Sequence, residues 1–198
     1  ANAEQNLQNA RALFESHLKS ILDQQEEAGP AYQLGDVCDF QGGSQPPKSQ
    51  FSYTPKDGYV RFLQIRDFGS EKHITYIPES RKNRLCTEND TMIGRYGASV
   101  GKILTGKAGA YNVALMKATP DGKLLEPNYF HYYLLSGAFQ NRLSTVAARS
   151  AQNGFSKEDI HSFPVSIPSL EQQRYLIDQI AALAKETQHL TSCLLYTS

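Results

Sequence analysis

A glycine-rich segment at residues 94–102, Gly-Arg-Tyr-Gly-Ala-Ser-Val-Gly-Lys, contains the residue types of a phosphate-binding loop. A nucleotide-binding P-loop requires four residues between its first Gly and the Gly-Lys pair, and a Ser or Thr after the Lys. Here Gly97 is one residue too close to that pair, and Ile103 follows the Lys. We therefore interpret the segment as a turn between strands, whose donors either contact the phosphates and base edges of a nucleic acid or only face solvent. The donors are Arg95, Tyr96, Ser99 and Lys102.

No other pattern in the sequence is typical of an active site. Residues 126–130 (Glu-Pro-Asn-Tyr-Phe) share residue types with the Asn-Pro-Pro-aromatic motif of DNA adenine methyltransferases, but the order differs and no cofactor-binding glycine motif precedes them. A Pro at the first position of a helix, followed by core aromatics, explains them better. The three cysteines lack metal-ligand spacing and are typical of reduced thiols in a cytoplasm. We therefore expect a cytoplasmic protein that is not an enzyme and binds neither metal nor cofactor.

A second candidate for nucleic-acid contact is the loop at residues 41–50 (Gln-Gly-Gly-Ser-Gln-Pro-Pro-Lys-Ser-Gln), which follows the first predicted strand. Side chains of these polar types can bind base edges in the DNA major groove. The candidates here are Ser44, Gln45 and Lys48. A plain surface loop is the alternative, and the residues alone favour it.

The charge distribution identifies the middle of the chain as its basic part. The whole sequence has no net charge, but residues 1–34 have a net charge of −3, residues 35–168 of +4 and residues 169–198 of −1. Within the middle segment, residues 81–149 contain ten basic and four acidic side chains. Affinity for phosphates depends on clustered Lys and Arg rather than on the charge of the whole chain. The cluster indicates a nucleic-acid-binding surface or, equally, an ordinary solvated face.

Two long helices are predicted at the ends of the chain. Residues 3–28 contain no Pro or Gly and have apolar side chains at steps of three and four, and Gly29-Pro30 ends this helix. A second helix begins at Ser169, with Gln172 as its capping-box partner, and its apolar side chains follow a heptad-type seam. We predict that the two stripes pair with each other or with the helices of a partner. The residues are Leu7, Phe14, Leu18 and Ile21 in the first helix, and Leu176, Ile180, Leu183 and Leu190 in the second.

Between the helices, the patterns predict an α+β domain. Runs of aromatic and β-branched residues between Gly-rich turns predict strands at residues 59–66, 91–93, 102–104 and 113–117, and residues 127–143 have the pattern of one helix. The chain is therefore expected to consist of a helix at 1–30, one globular domain of short strands and a few helices at 31–168, and a second helix at 169–198. The uncharged end from Thr191 predicts an incomplete C-terminus or a frayed helix end.

In their order along the chain, several short motifs resemble the DNA specificity subunits of type I restriction–modification systems. The matching segments are Leu34-Gly35-Asp36-Val37 with Gly42-Gly43-Ser44, Phe62-Leu63-Gln64-Ile65-Arg66-Asp67, Gly94-Arg95-Tyr96-Gly97 with Val100-Gly101-Lys102, Tyr111-Asn112-Val113-Ala114, Ser150-Ala151-Gln152-Asn153 with Ser156, and Ile167-Pro168 with Leu170-Glu171-Gln172-Gln173. Residues 6–15 look like a spacer helix of that family. A full subunit has two target-recognition domains and two long helices. This chain, with one domain, therefore resembles half of a subunit, natural or truncated.

The resemblance implies a half-subunit that binds double-stranded DNA and directs a methyltransferase subunit, and a restriction subunit where one exists, to a bipartite site. In the family, the two helices form an antiparallel coiled coil, and about 22 residues of the second helix would span roughly 33 Å, near one turn of DNA. A homodimer through the helices would supply the second half-site. The implied DNA contacts are Arg66, Arg95, Lys102 and Arg149 for phosphates or guanines, and Gln45, Tyr96, Asn112, Gln152 and Asn153 for base edges, beside Ser44, Lys48 and Ser99. The alternative is a helical protein-interaction module that binds no DNA of its own.

Overall fold

The computed structural model describes residues 2–23, 29–150 and 153–196. The chain forms two compact units. We call Ala1–Tyr32, Gly122–Phe139 and Val165–Ser198 the helical unit, and Gln33–Asp121 with Gln140–Pro164 the sheet unit. No described helix is both long and apolar enough to cross a membrane.

Helices and strands alternate irregularly along the chain, as is typical of an α+β fold. The described helices are α1 (Asn2–Asp23), α2 (Leu34–Val37), α3 (Pro127–Leu135), α4 (Gly137–Arg149), α5 (Lys157–His161) and α6 (Leu170–Tyr196). The described strands are β1 (Ala31–Gln33), β2 (Cys38–Gly42), β3 (Tyr59–Leu63), β4 (Tyr76–Pro78), β5 (Leu85–Cys86), β6 (Thr91–Gly94), β7 (Ile103–Leu104), β8 (Gly109–Tyr111), β9 (Leu115–Pro120) and β10 (Pro164–Ser166). Single turns of 3₁₀ helix occur at Lys48–Gln50, Ile65–Phe68 and Gly97–Ser99.

Two four-stranded sheets form the frame of the sheet unit. The first has the strand order β2-β9-β6-β7 with antiparallel neighbours, and its register pairs Phe40 with Ala118 and Ile93 with Met116. The second has the order β4-β3-β8-β5, in which β3 and β8 are parallel and the other pairs are antiparallel. Because these strands are short, their pairing depends on burying side chains from both sheets.

Side chains from both sheets meet in one buried cluster. Its members are Leu63, Cys86, Met92, Tyr111 and Leu115, all at most 5% exposed. Burying a large apolar side chain contributes about 1.5–3 kcal/mol relative to leaving it in water. The cluster therefore fixes the ends of β3, β8 and β9, which is where the candidate loops begin.

In the helical unit, α1 and α6 pack against each other. Leu18 of α1 and Ile180 of α6 are buried together, with Phe14, Ile21 and Tyr132 around them. Leu176 is also buried and Leu183 is half-buried. Leu18 and Ile180, one from each predicted apolar stripe, thus contact each other within the chain, while the side chains of Leu7 and Leu190 lie outside the described residues. The short strands β1 and β10 pair in a two-stranded sheet.

The start of α6 is fixed by its own side chains. Gln172 donates its backbone N–H to Ser169 Oγ at 3.3 Å and accepts the Ser169 N–H on Oε1 at 3.1 Å, which confirms the predicted capping box. The next residue, Gln173, is fully buried and makes three hydrogen bonds through its side-chain amide. It accepts the N–H of Glu126, and it donates to the carbonyl oxygens of Leu124 and Pro168.

Several boundaries differ from those predicted. The strand predicted at 59–66 ends at Leu63, because residues 65–68 form a turn of 3₁₀ helix. Residues 127–143 form two helices instead of one, because Ser136 adopts an extended ψ of 155° and its hydroxyl accepts the N–H of Phe139, starting α4. The strand predicted at 113–117 begins two residues later, at Leu115, because residues 112–114 form a turn in which Asn112 Oδ1 accepts the Ala114 N–H. The uncharged C-terminal segment continues α6 as far as Tyr196.

Candidate nucleic-acid interface

All described residues among the predicted DNA contacts belong to the sheet unit. Of the twelve predicted, Gln152 lies outside the described residues. The remainder fall on five segments: the loop after β2, the turn after β3, the turn between β6 and β7, the turn after β8, and the last residue of α4 with the segment that follows it. Backbone hydrogen bonds join most of these segments into one surface.

The loop after β2 lies directly against the turn after β8. Ser44 donates its N–H to the Tyr111 carbonyl at 3.0 Å and forms a parallel bridge with Asn112. A side chain at Gly43 is excluded, because a Cβ there would lie 2.0 Å from the Asn112 carbonyl oxygen. Two predicted contacts far apart in the sequence, Ser44 and Asn112, are therefore neighbours.

Arg95 connects three of these segments through its guanidinium group. Its Nε and Nη2 donate to the Phe155 carbonyl at 3.3 and 3.2 Å, and Nη1 donates to the Val113 carbonyl at 3.4 Å. The same group lies 5.0 Å from the centre of the Tyr96 ring, within the range of a cation–π contact. Arg95 is half-buried, and most of its guanidinium N–H groups donate to carbonyl oxygens of the protein itself.

The turn after β6 and the segment after α4 are held together by their main chains. Tyr96 and Gly154 form an antiparallel bridge, and Gly97 donates its N–H to the Asn153 carbonyl at 2.9 Å. Asn153 adopts the left-handed conformation with φ of 46°, which Asn tolerates better than most residues, and its side chain is exposed. Ser150 supports the turn by accepting the Gly154 N–H on Oγ at 2.7 Å.

Four predicted cations of the sheet unit have exposed side chains. Lys48, Lys102 and Arg149 have no ion pair with another described residue, and Arg66 approaches buried Asp67 only at 4.0 Å. That contact is at the limit of ion-pair distance, and the Arg66 side chain stays exposed to solvent. The four side chains therefore remain available to an external anion, although the structure gives no hydrogen bond linking Lys48, Arg66 or Arg149 to the Arg95 segments.

Ser99 lies in the same turn as Lys102 and shapes it. Its carbonyl accepts the Lys102 N–H at 3.1 Å, and Gly94 leaves no space for a Cβ, which would lie 2.1 Å from that oxygen. The turn is therefore tight, and it presents the Lys102 side chain to solvent.

Two contacts hold β2 in place, one made by a buried phenol and one by an exposed ion pair. The Tyr111 hydroxyl donates to Gln41 at the end of β2, and burial raises the pKa of this phenol, so that it stays a protonated donor. Lys157 of α5 forms an ion pair with Asp39 of β2 at 2.7 Å, and this hydrogen bond holds the pKa of the Asp39 carboxyl below its usual value. Both contacts fasten β2, and hence the loop that follows it.

A groove of about 510 Å³ opens beside the loop after β2. The sequence predicted only the wall that belongs to the loop at residues 41–50. We call it the amide groove. Its lining residues are Ser44, Gln45, Pro46, Pro47, Gln50, Pro78, Ser80, Lys82 and Asn83. Ser44 Oγ is buried at this wall and has no hydrogen-bond partner among the described residues. The signal that could have identified the second wall is the run Arg81-Lys82-Asn83-Arg84, which begins the basic segment.

The surface offers amides, hydroxyls, a phenol ring and cations. These groups bind phosphates and base edges, whereas metal ions in proteins prefer carboxylate, imidazole and thiolate clusters. The described residues contain no group of three or more such ligands. The arrangement is therefore suited to binding a polyanion with hydrogen-bonding edges.

Comparisons with known proteins agree with this geometry. The family model described as "Type I restriction modification DNA specificity domain" matches residues 30–192. A chain from a structural study of complex assembly and conformational transition of the type I R-M system is 20% identical, with a TM-score of 0.75 over 98% of this chain and 49% of its own. The HsdS subunit from Thermoanaerobacter tengcongensis is 18% identical (TM-score 0.71, covering 97% of this chain and 47% of its own). The type I restriction–modification S subunit from M. genitalium is 13% identical (TM-score 0.63, covering 98% and 52%).

These solved chains establish the similarity of fold, and this chain spans about half of their length. No curated protein matches the sequence. The mixed helix and strand architecture predicted for a target-recognition domain is thus confirmed.

Proposed function

The chain belongs to the family of type I restriction modification DNA specificity domains, and we propose that it binds one part of a bipartite DNA site and directs a methyltransferase to it. The family recognises DNA and is not itself catalytic, which agrees with the prediction that this chain is not an enzyme. A cytoplasmic location is part of the same proposal, because the proposed target is cellular DNA.

The observation that carries the proposal is the joining of five predicted contacts into one surface. Contacts within the sheet unit bring Ser44 beside Asn112, and Arg95 and Tyr96 beside Asn153. The backbone that carries base-reading side chains must be held in position, because ordering a mobile loop on binding costs conformational entropy. A surface whose loops are fixed by main-chain bonds meets that requirement, and the exposed cations of the same unit can add contacts to phosphates.

The predicted residues fall into three proposed roles. Lys48, Arg66, Lys102 and Arg149 are exposed cations suited to phosphates or guanines. Base-edge contacts are proposed for Ser44, Gln45, Tyr96, Ser99, Asn112, Gln152 and Asn153. The sequence predicts that Arg95 holds a phosphate or a guanine, and we now propose that it acts chiefly as a positioning residue, since its bonds to Val113 and Phe155 hold the loops.

Two single variants separate a phosphate contact from a positioning residue. We expect Lys102→Ala to lower the affinity for any duplex and to reduce the slope of log K against log salt by about 1. Arg95→Ala should instead weaken binding and lower Tm, because it releases the segment at Phe155. Binding of a mixed-sequence duplex is measured by fluorescence anisotropy from about 50 to 300 mM salt, with Lys72→Ala as a matched control in the sheet unit. An unchanged slope for Lys102→Ala would remove this turn from the interface.

The helices are the proposed means of assembly. We propose that residues 1–30 and 169–198 act as spacer helices around a recognition domain at 31–168, that they form a coiled coil, and that two copies of the chain pair through them. The packing of Leu18 against Ile180 supports the coiled coil. A groove of about 480 Å³ beside it, lined in part by Ile21 and Leu183, leaves room for a further side-chain stripe. The methyltransferase subunit, and a restriction subunit where one exists, would dock on this assembly.

Co-expression with a type I methyltransferase subunit tests the assembly. A split, two-fold symmetric motif of N6-methyladenine in the host genome is expected from a homodimer, and light scattering of the purified chain should give twice the mass of the monomer. An asymmetric motif would contradict the homodimer and require a second, different recognition domain. A monomeric chain at high micromolar concentration, alone and with the methyltransferase, would also contradict it.

The alternative is a helical protein-interaction module that binds no DNA of its own. It is supported only by the extent of α1 and α6, and it predicts no salt-dependent binding of any duplex. The same anisotropy measurement on the wild-type chain distinguishes the two functions.

A further inference from the structure

The amide groove has two rigid walls. On one wall, Gln50 donates its N–H to the Pro47 carbonyl at 3.0 Å, and the preceding Pro46-Pro47 pair restricts the backbone. On the other wall, Asn83 donates Nδ2 to the Pro78 carbonyl at 3.0 Å. The groove between the walls has a volume of about 510 Å³, and exposed side chains of its walls can project into the major groove of a duplex.

The lining of the groove is rich in amides and contains no carboxylate. Gln45 and Gln50 are both exposed. The amide of Gln45 makes only a long bond of 3.4 Å to the Pro46 carbonyl, and that of Gln50 makes no hydrogen bond to another described residue. A free glutamine amide can pair with adenine through both N6 and N7 in the major groove. The two amides can therefore read adenine, or a neighbouring base, without breaking an internal contact.

Cations line the groove or adjoin its lining residues along the chain. Lys82 lines the groove, Arg81 and Arg84 flank Lys82 and Asn83 in the sequence, and Lys48 lies in the sequence between Pro47 and Gln50. All four side chains are exposed, and none has an ion pair with another described residue. Amides accompanied by free cations match the pattern of a base edge accompanied by phosphates.

We infer that the amide groove is a base-reading site for double-stranded DNA, in which Gln45 and Gln50 select an A·T pair in the major groove and Lys82 holds an adjacent phosphate. The inference rests on the proposed DNA-binding function, and it adds the turn at residues 78–83 to the recognition surface. The two walls then have different roles. Gln45 and Gln50 on one wall give sequence preference, and Lys82 on the other gives affinity.

Selection from a duplex library with about 20 randomised base pairs tests the inference on the full chain. We compare the wild type, the double variant Gln45→Ala/Gln50→Ala, and Lys82→Ala. Gln179→Ala and Lys72→Ala are matched controls, because each removes an exposed amide or lysine outside the groove. Circular dichroism confirms that every variant is folded.

The double variant should lose the preference for A·T at one or two positions of the selected motif. Its affinity for the wild-type motif should fall about 5- to 150-fold for each base pair that it no longer reads, with unchanged affinity for mixed-sequence DNA. Lys82→Ala should weaken both affinities equally and reduce the salt slope by about 1. A double variant that selects the complete wild-type motif would refute base reading by this groove. If the wild type selects no motif and binds no duplex in a salt-dependent way, the proposed DNA-binding function itself fails.

Discussion

Replacing Gln173 with Leu should destabilise the helical unit, because this side chain fills a buried position with three hydrogen bonds. Its amide accepts the Glu126 N–H at 2.8 Å and donates to the Leu124 and Pro168 carbonyls at 2.7 and 2.8 Å. Glu126 in turn caps α3 by accepting the N–H groups of Asn128 and Tyr129. The second residue of the Gln-Gln pair at the start of α6 thus fixes the start of α3.

The magnitude follows from the burial of the three partners. Leu is similar in size to Gln but leaves one N–H and two carbonyls without their partner. The groups of Leu124 and Glu126 are half-buried and cost about 1 kcal/mol each, while the buried Pro168 carbonyl costs about 2 kcal/mol. Burying the apolar leucine offsets about 1–2 kcal/mol of this loss. The expected net loss is about 2–3 kcal/mol, a substantial fraction of the roughly 5–15 kcal/mol typical of a domain.

Urea unfolding followed by far-ultraviolet circular dichroism measures this loss. With a slope of about 2 kcal/mol per molar urea, the midpoint should fall by about 1–1.5 M. The matched control is Gln179→Leu, which makes the same substitution on the same helix at an exposed position whose amide only donates to the Tyr175 hydroxyl. That control should stay within about 0.5 kcal/mol of the wild type. The reasoning is refuted if the midpoints of the two variants agree within about 0.3 M.

Three further perturbations have defined outcomes. Gly43→Ala should lower Tm by about 5–10 °C in a thermal scan, because the new Cβ would lie 2.0 Å from the Asn112 carbonyl oxygen, whereas Gly122→Ala, with open space around it, should leave Tm unchanged. Burial lowers the pKa of His131 from 6.5, so the folded state binds this proton less tightly. The free energy of unfolding is therefore not reduced by this group above pH 6.5, and it decreases as the pH falls from 6.5 through the folded pKa. His131→Phe should reduce the difference in Tm between about pH 8 and pH 5.5. Burial also raises the pKa of Cys86 to about 11, so iodoacetamide at about pH 8 should label its peptide, as followed by mass spectrometry, far faster in urea than in the native protein.

Features specified by neighbouring residues are predictable from the sequence. The starts of α5 and α6 depend on capping boxes in which the partners lie three residues apart, at Ser156 with Asp159 and at Ser169 with Gln172. The break at Ser136 depends on equally local bonds, but the sequence pattern does not reveal it, since the apolar periodicity continues through it. A serine hydroxyl can cap a helix or face solvent, and the pattern alone does not distinguish the two.

Features specified by distant residues are not predictable in the same way. The parallel pairing of β3 with β8 and the bridge between Ser44 and Asn112 join segments with no shared local signal. Arg95 and Lys102 lie in one turn, and their charge alone predicts the same role for both. The structure distinguishes them by burial, because the Arg95 guanidinium donates to backbone carbonyls and the Lys102 ammonium group is exposed. Which cation faces outward depends on the fold, not on residue type.

Main-chain hydrogen bonds fix the shape of the candidate surface, and its exposed side chains determine which groups it offers to DNA. Main-chain bonds hold the loops, as between Gly97 and Asn153 and between Ser44 and Tyr111. The bond at Ser44 does not depend on the side chain at position 44, whereas the left-handed backbone at position 153 favours Asn. Close backbone contacts, in contrast, exclude a side chain at Gly154, where a Cβ would lie 2.7 Å from the Arg95 carbonyl oxygen. Substitutions among the exposed polar positions should therefore change DNA preference at little cost in stability, usually within about 0.5 kcal/mol. Substitutions at the glycines and at Arg95 should cost stability first, and lose DNA binding as a result.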